Sequence, residues 1–309
     1  MFDTVNFWID RANILMGNPF DILPYLSEIT ERHNERQGYS YTGKLNNYTV
    51  SVFEGGISLK GSLSAYLHPS NIYTLKRNDT RQAIEKLSDN LHTDIGTAKV
   101  TRFDISTVIP TKRPPSDYYS HLGNKPYFTR LQSTPDTLYY NNHQRQLSFY
   151  DKAKEAKAKK TPIPDILQGC NLFRYELRFL KRLNEQFKRD ITGNLLFDSD
   201  FYCKIVQWWY NEFKTINKNK NTILMADNNI KTPKQAETLL FACLLQEKGT
   251  SFIDDFISQL KTKSAFKERQ RYYELRRKLF TISQNPKGQT DDLIKELETA
   301  IFDIAKYAR

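Results

Sequence analysis

Near residue 181 the spacing of apolar residues changes, and no other feature constrains the fold as much. Before it, apolar side chains recur every second residue in short runs, as half-buried strands require. After it they recur at intervals of three and four, as amphipathic helices require. Residues 2–9, 98–109 and 173–179 read as strands. Residues 47–53 and 57–63 read as a hairpin turning through Glu54-Gly55-Gly56, and 137–141 pairs with 147–152 in another. The proline-rich run at 110–115 is expected to end the strand before it. Within this half, Ala83, Ile84, Leu87 and Leu91 share one face of a helix over 78–91, with Asp79 or Thr80 as N-cap.

In the second half, Phe201, Ile205, Trp208, Trp209 and Phe213 form one apolar stripe, which makes both tryptophans core residues rather than a stacking platform. Thr232-Pro233 opens another helix that Gly249 ends, and further helices are expected at 251–261, 265–283 and 290–307. The fold class is therefore α+β. An antiparallel sheet with packing helices occupies residues 1–185, and an all-helical domain occupies 186–309.

Charge narrows the partner. Lys plus Arg outnumber Asp plus Glu 46 to 35, a net charge of +11, and a field of that sign concentrates polyanions. Nucleic acid is the favoured partner and an anionic membrane surface comes second. The longest apolar run, 239–245, is too short to span a bilayer, and the N-terminus lacks the apolar core of a signal peptide. Cys170, Cys203 and Cys243 are widely separated, so neither a zinc knuckle nor a disulfide framework is indicated. Each cysteine is expected in an apolar environment, and the chain in a reducing cytoplasm.

Three strands carry unusual polar faces. On 101–106, Arg102, Asp104 and Ser106 oppose Phe103 and Ile105; on 173–179, Arg174, Glu176 and Arg178 oppose Phe173, Tyr175, Leu177 and Phe179. On 147–152, Ser148, Tyr150 and Lys152 oppose Leu147 and Phe149. In one sheet these would gather Asp104, Glu176, Tyr150, Lys152 and several arginines on a single face. A sheet with helices on one side and water on the other shows the same alternation. Acids paired with arginines around a tyrosine also suit phosphoryl chemistry. Two carboxylates hold Mg²⁺ or Mn²⁺, and a cationic setting activates a phenol whose ordinary pKa is about 10.

Taken in order, the Val100–Ser106, Leu147–Glu155 and Phe173–Arg178 segments and the opening Met-Phe-Asp-Thr-Val resemble phage and plasmid replication initiators of the gene II/X type. They are also similar to the Rep_trans rolling-circle plasmid initiators, within the HUH-like endonucleases. The resemblance spans residues 1–185. It implies a Rep-like nickase core and rolling-circle initiation. In that reaction one strand is nicked at an origin through a 5′-phosphotyrosine intermediate and later rejoined. It places the nucleophile on Tyr150, a phosphate contact on Lys152 and metal ligands on Asp104 and Glu176. Origin DNA, single-stranded or supercoiled duplex, is the implied substrate, with host helicase and polymerase as further partners and no membrane. The His-hydrophobic-His pair common among wider relatives is absent, which leaves the ligand set open. His143 in the hairpin turn is a further ligand candidate. Tyr139 and Tyr140 compete as nucleophiles, and Tyr140 is the runner-up.

Expected DNA contacts are Arg102, Arg174, Arg178 and the lysines Lys154, Lys157, Lys159 and Lys160, which follow the nucleophile within a basic, then proline-broken segment over 153–169. Arg276 represents a basic helix at 266–280 suited to tracking duplex DNA or to forming a solvated face. Besides the tyrosine nickase, two readings stand: a non-catalytic DNA-binding replication regulator with the same fold, and a nuclease using activated water.

Overall fold

The computed structural model describes residues 1–14, 17–34, 38–218, 232–248, 251–284 and 292–308. Ten strands form one antiparallel sheet: β1 (Phe2–Asp10), β2 (Ser27–Asn34), β3 (Gly38–Leu45), β4 (Tyr48–Phe53), β5 (Gly56–Ser62), β6 (Lys99–Thr111), β7 (Thr129–Thr134), β8 (Thr137–Asn141), β9 (Arg145–Asp151) and β10 (Asn171–Phe179). Their order is β2-β3-β4-β5-β1-β6-β10-β9-β8-β7, so the three motif-bearing strands β6, β10 and β9 are neighbours. Among the described residues ten α-helices accompany them: α1 (Leu63–Leu67), α2 (Arg77–Leu91), α3 (Pro115–Tyr119), α4 (Lys152–Ala158), α5 (Leu183–Phe187), α6 (Ser199–Lys214), α7 (Pro233–Lys248), α8 (Ser251–Thr262), α9 (Arg269–Gln284) and α10 (Asp292–Tyr307).

The α+β class expected from the change of period is what the chain adopts. Cross-strand register aligns Val50, Leu59, Phe7 and Val5 with Phe103, Phe179, Leu177, Leu147 and Phe149 on one face. Helix α6 seals part of that face: Tyr175 stacks on Trp209 at 4.6 Å between ring centroids and donates its hydroxyl to the Trp209 carbonyl. Ile294, Leu297 and Ile301 of α10 join the same core, whereas Leu245, Ile253, Ile257 and Tyr272 of α7, α8 and α9 form a core of their own. Helix α10 is tied down further by Glu296, which accepts from the Lys112 backbone and the Tyr118 hydroxyl.

Several boundaries differ from the sequence expectation. Helix α2 begins at Arg77, and Asp79 caps it from inside the first turn by accepting from the Lys76 N–H at 2.8 Å. Strand β6 runs through Pro110 to Thr111, pairing with β10 from Phe103 to Thr111. Strand β2 carries no alternation because its side chains are exposed on both faces, as an edge strand permits. Cys170 is exposed rather than apolar-packed, and Cys203 is half-buried. The Gly249 helix stop and the first residues of the expected 290–307 helix lie outside the described residues. At the β4–β5 turn Gly56 is required twice over, since φ is +151° and a Cβ would meet the Ile9 carbonyl oxygen at 2.2 Å.

Candidate active site

Opposite the sealed face, the register assembles a polar one. Arg178 lies across from Asp104, Glu176 across from both Ser106 and Ser148, and Arg174 across from Tyr150. Asp104, Glu176, Tyr150, Arg102, Arg174 and Arg178 thus share one face on three adjacent strands. Arg102 grips Asp104 with Nε on Oδ1 (3.1 Å) and Nη2 on Oδ2 (2.7 Å). Arg178 donates from Nη2 to Glu176 Oε2 (2.8 Å) and from Nη1 to Gln146 Oε1 (2.7 Å), with Nε 3.9 Å from Asp104.

A deeper ion pair supports this layer. Arg174, buried beneath the face, donates to Asp3 Oδ2, to Ser106 Oγ (2.7 Å) and to the Asn71 carbonyl (2.6 Å). Sequence reasoning missed Asp3. In strict alternation it would share a face with Val5, Phe7 and Ile9. A register shift between Phe2 and Val5 keeps both of those on the sealed side and releases Asp3 to the other. An acid standing in phase with an apolar strand face was the available signal.

Lys152 is not on the strand. Strand β9 ends at Asp151, whose carboxylate accepts from the Lys154 N–H and starts α4. The Lys152 ammonium is buried against Asn71 Oδ1 (2.8 Å) and the Glu155 carboxylate. Burial lowers its pKa, Arg174 adds to the fall, and Glu155 opposes it. Lys154 reaches Asp136 at 2.5 Å and Lys159 reaches Glu155 at 2.6 Å, while Lys157 and Lys160 are exposed. Arg276 sits on α9 with its Nε on Asp254 at 2.7 Å, in the helical unit with the separate core.

The tyrosines separate by face. Tyr140 pairs with Leu147, is buried on the sealed side, and its hydroxyl bonds to the Leu122 and Gly123 carbonyls. It does not share a face with Tyr150. Tyr139 does, lying across from Ser148, and Leu138 at the intervening apolar position was the sequence sign of this parity. Tyr139 and Tyr150 line an open cleft of about 400 Å³ with Asp136, Thr137, Asp151, Lys154, Glu155 and Arg178. Burial raises the Tyr150 phenol well above its ordinary pKa. Arg174 pulls it back, and Glu176, Glu155 and Asp3 push it further up.

Among the described residues no three His, Cys, Asp or Glu side chains converge as a metal cluster, and His143 is exposed in the β8–β9 turn. Asp104 and Glu176 nevertheless fit Mg²⁺ or Mn²⁺. Such ions take one or two protein carboxylates and fill the remaining positions with water and phosphate oxygens. The buried Ser148 hydroxyl, across from Glu176 and without a hydrogen-bond partner, adds an oxygen to that corner.

Burial drives the Asp104 carboxyl up to about 7; the Glu176 charge adds to the rise, and Arg102 and Arg178 oppose it. An acid whose folded pKa exceeds its unfolded value of about 4 stabilises the fold below that pH and loses the contribution as pH rises through its folded pKa. With EDTA present, Asp104→Asn should therefore gain stability relative to wild type as pH is raised from about 4 to about 7. Urea denaturation across that window measures it. A gap moving the other way would mean that Arg102 outweighs burial.

The chain is thus an α+β protein whose antiparallel sheet offers acids, arginines and tyrosines on one open face. Residues 1–207 match the family of replication-associated proteins defined by the N-terminal part of the phage gene II protein, and the chain belongs to that family of gene II/X-type replication initiators. No curated protein matches the chain. No helix among the described residues is long and apolar enough to cross a membrane.

Proposed function

We propose that this initiator nicks and rejoins one DNA strand at a replication origin through a covalent link to Tyr150. The carrying observation is that Tyr150 lies across from Arg174 on the strand face that also holds Asp104, Glu176 and Arg178, and opens into the cleft. The Tyr150 oxygen bonds to phosphorus as the bond from phosphorus to the 3′ oxygen breaks. The phenol gives up a proton and the leaving oxygen takes one, so a 5′-phosphotyrosine and a free 3′-hydroxyl result. Reversal rejoins the strand.

A divalent ion held by Asp104 and Glu176 would supply charge neutralisation at the phosphate. Arg178, lining the cleft, steadies the same charge, and Arg174 favours the ionised phenol. Lys152 acts from behind by holding Asn71 and Glu155, while Lys154 at the cleft and Lys157, Lys159 and Lys160 along and just after α4 contact the strand's phosphates. Host helicase and polymerase would then extend the free 3′ end.

The test is incubation with origin DNA and Mg²⁺ or Mn²⁺, followed by proteolysis and mass mapping of the nucleotide-bearing peptide. The mass tag is expected on Tyr150. A tag on Tyr139 would move the nucleophile one strand over. Tight origin binding without any adduct would favour the non-catalytic regulator.

A further inference from the structure

Both candidate cation ligands are already held by guanidinium groups, and in each pair the arginine is the outer partner. The Asp104 and Glu176 side chains are 1% and 4% exposed, whereas those of Arg102 and Arg178 are 32% and 27% exposed. A ligand arriving from solvent meets the arginines first. Arg102 occupies both Asp104 oxygens, and Arg178 is stretched between Glu176 and Gln146 with its Nε near Asp104. In this state the face is built to receive an anion.

We propose that Arg102 and Arg178 form a gate that makes cation binding at Asp104 and Glu176 conditional on bound DNA phosphate. The proposal rests on reading those two acids as cation ligands. A lone divalent ion must displace two guanidinium groups from the carboxylates that balance their charge, and it meets their positive charge on the way. A phosphodiester offers them a replacement, because the planar fork of arginine matches phosphate oxygens as well as carboxylate. Once the arginines turn outward, two buried carboxylates are left without a counter-charge, a costly arrangement that a divalent ion relieves. Each step alone is unfavourable, and the two together compensate. Phosphate and ion therefore arrive as a unit, and linkage requires that each tighten the other by the same factor. The free protein keeps its cation site closed until a strand lies in the cleft.

The test uses the full chain carrying Tyr150→Phe, so that no strand is cut. Mn²⁺ binding is followed by electron paramagnetic resonance with and without a single-stranded oligonucleotide, with Mn²⁺ on the oligonucleotide alone subtracted. Mn²⁺ affinity is expected to rise at least about 10-fold with DNA, and Mn²⁺ should tighten DNA binding by the same factor. Adding Arg178→Met or, independently, Arg102→Met should raise Mn²⁺ affinity in the DNA-free protein and shrink its dependence on DNA. Adding Asp104→Asn and Glu176→Gln should remove the bound ion in both states. Equal Mn²⁺ affinity with and without DNA would overturn the gate and leave the cation ligands standing. Absence of Mn²⁺ from the DNA-bound protein would overturn the gate together with the cation reading. An adduct formed by the wild-type protein in EDTA would show that the tyrosine chemistry survives that loss.

Discussion

Tyr150→Phe is expected to abolish the covalent adduct and lower strand cleavage by at least about 10⁴-fold, since the substitution removes the proposed attacking oxygen and nothing else. The ring remains packed on the polar face, so folding stability should change by less than about 1 kcal/mol and DNA affinity by less than about threefold. No other tyrosine on these strands is placed to take over unaided. Tyr140 is turned to the opposite face with its hydroxyl bonded to two backbone carbonyls. Tyr139 is in the cleft, but it lies across from Ser148, whereas Tyr150 is the residue facing Arg174. Adduct formation on a labelled oligonucleotide, read on a denaturing gel beside fluorescence polarisation for binding, separates these effects. An adduct that survives in Tyr150→Phe would transfer the role to Tyr139. A loss of adduct accompanied by an equal loss of DNA binding would leave Tyr150 as a binding residue only.

Much of this face could be read from residue spacing because the strands that build it keep a strict period of two. Arg102, Asp104 and Ser106 on β6 and Arg174, Glu176 and Arg178 on β10 needed only adjacency of the strands to converge, and the register supplies it. Where the period breaks, the reading breaks with it. The register shift between Phe2 and Val5 turned Asp3 to the polar face, and the cap formed by Asp151 took Lys152 off the strand and into a helix. Strand β2, exposed on both faces, offered no alternation to detect. Periodicity also shows that a helix has an apolar stripe without showing which core receives it. Nothing in the spacing of Ile294, Leu297 and Ile301 distinguishes the sheet they join from the separate core of α7, α8 and α9. Nor does a shared face reveal pairing: that Arg102 takes both oxygens of Asp104 is a matter of distance, settled only by the fold.

Arg174→Met should destabilise the protein by about 3–5 kcal/mol, a large part of the 5–15 kcal/mol typical of a folded domain. The arginine is 1% exposed and its partner Asp3 only 5%, so deleting the guanidinium leaves a carboxylate under the sheet face with the Ser62 hydroxyl as its other bonded partner. The same change frees the Asn71 carbonyl, whose side-chain oxygen holds Lys152, and so loosens the start of α4 behind Tyr150. If the cost comes from the stranded charge, removing that charge should recover part of it. Asp3→Asn combined with Arg174→Met is therefore expected to be less destabilised than the sum of the single changes, by about 1–3 kcal/mol in a double-mutant cycle. Urea denaturation of the four proteins at one pH provides the measurement. Strict additivity, or a cost below about 1 kcal/mol for Arg174→Met, would mean that the pair is not the anchor of the face. A large coupling would explain why a strand whose alternate residues face the core carries an acid at its second position. The register shift that turns Asp3 to the polar face brings it to Arg174, and Arg174 in turn holds Asn71, which binds Lys152 at the start of the helix that follows Tyr150.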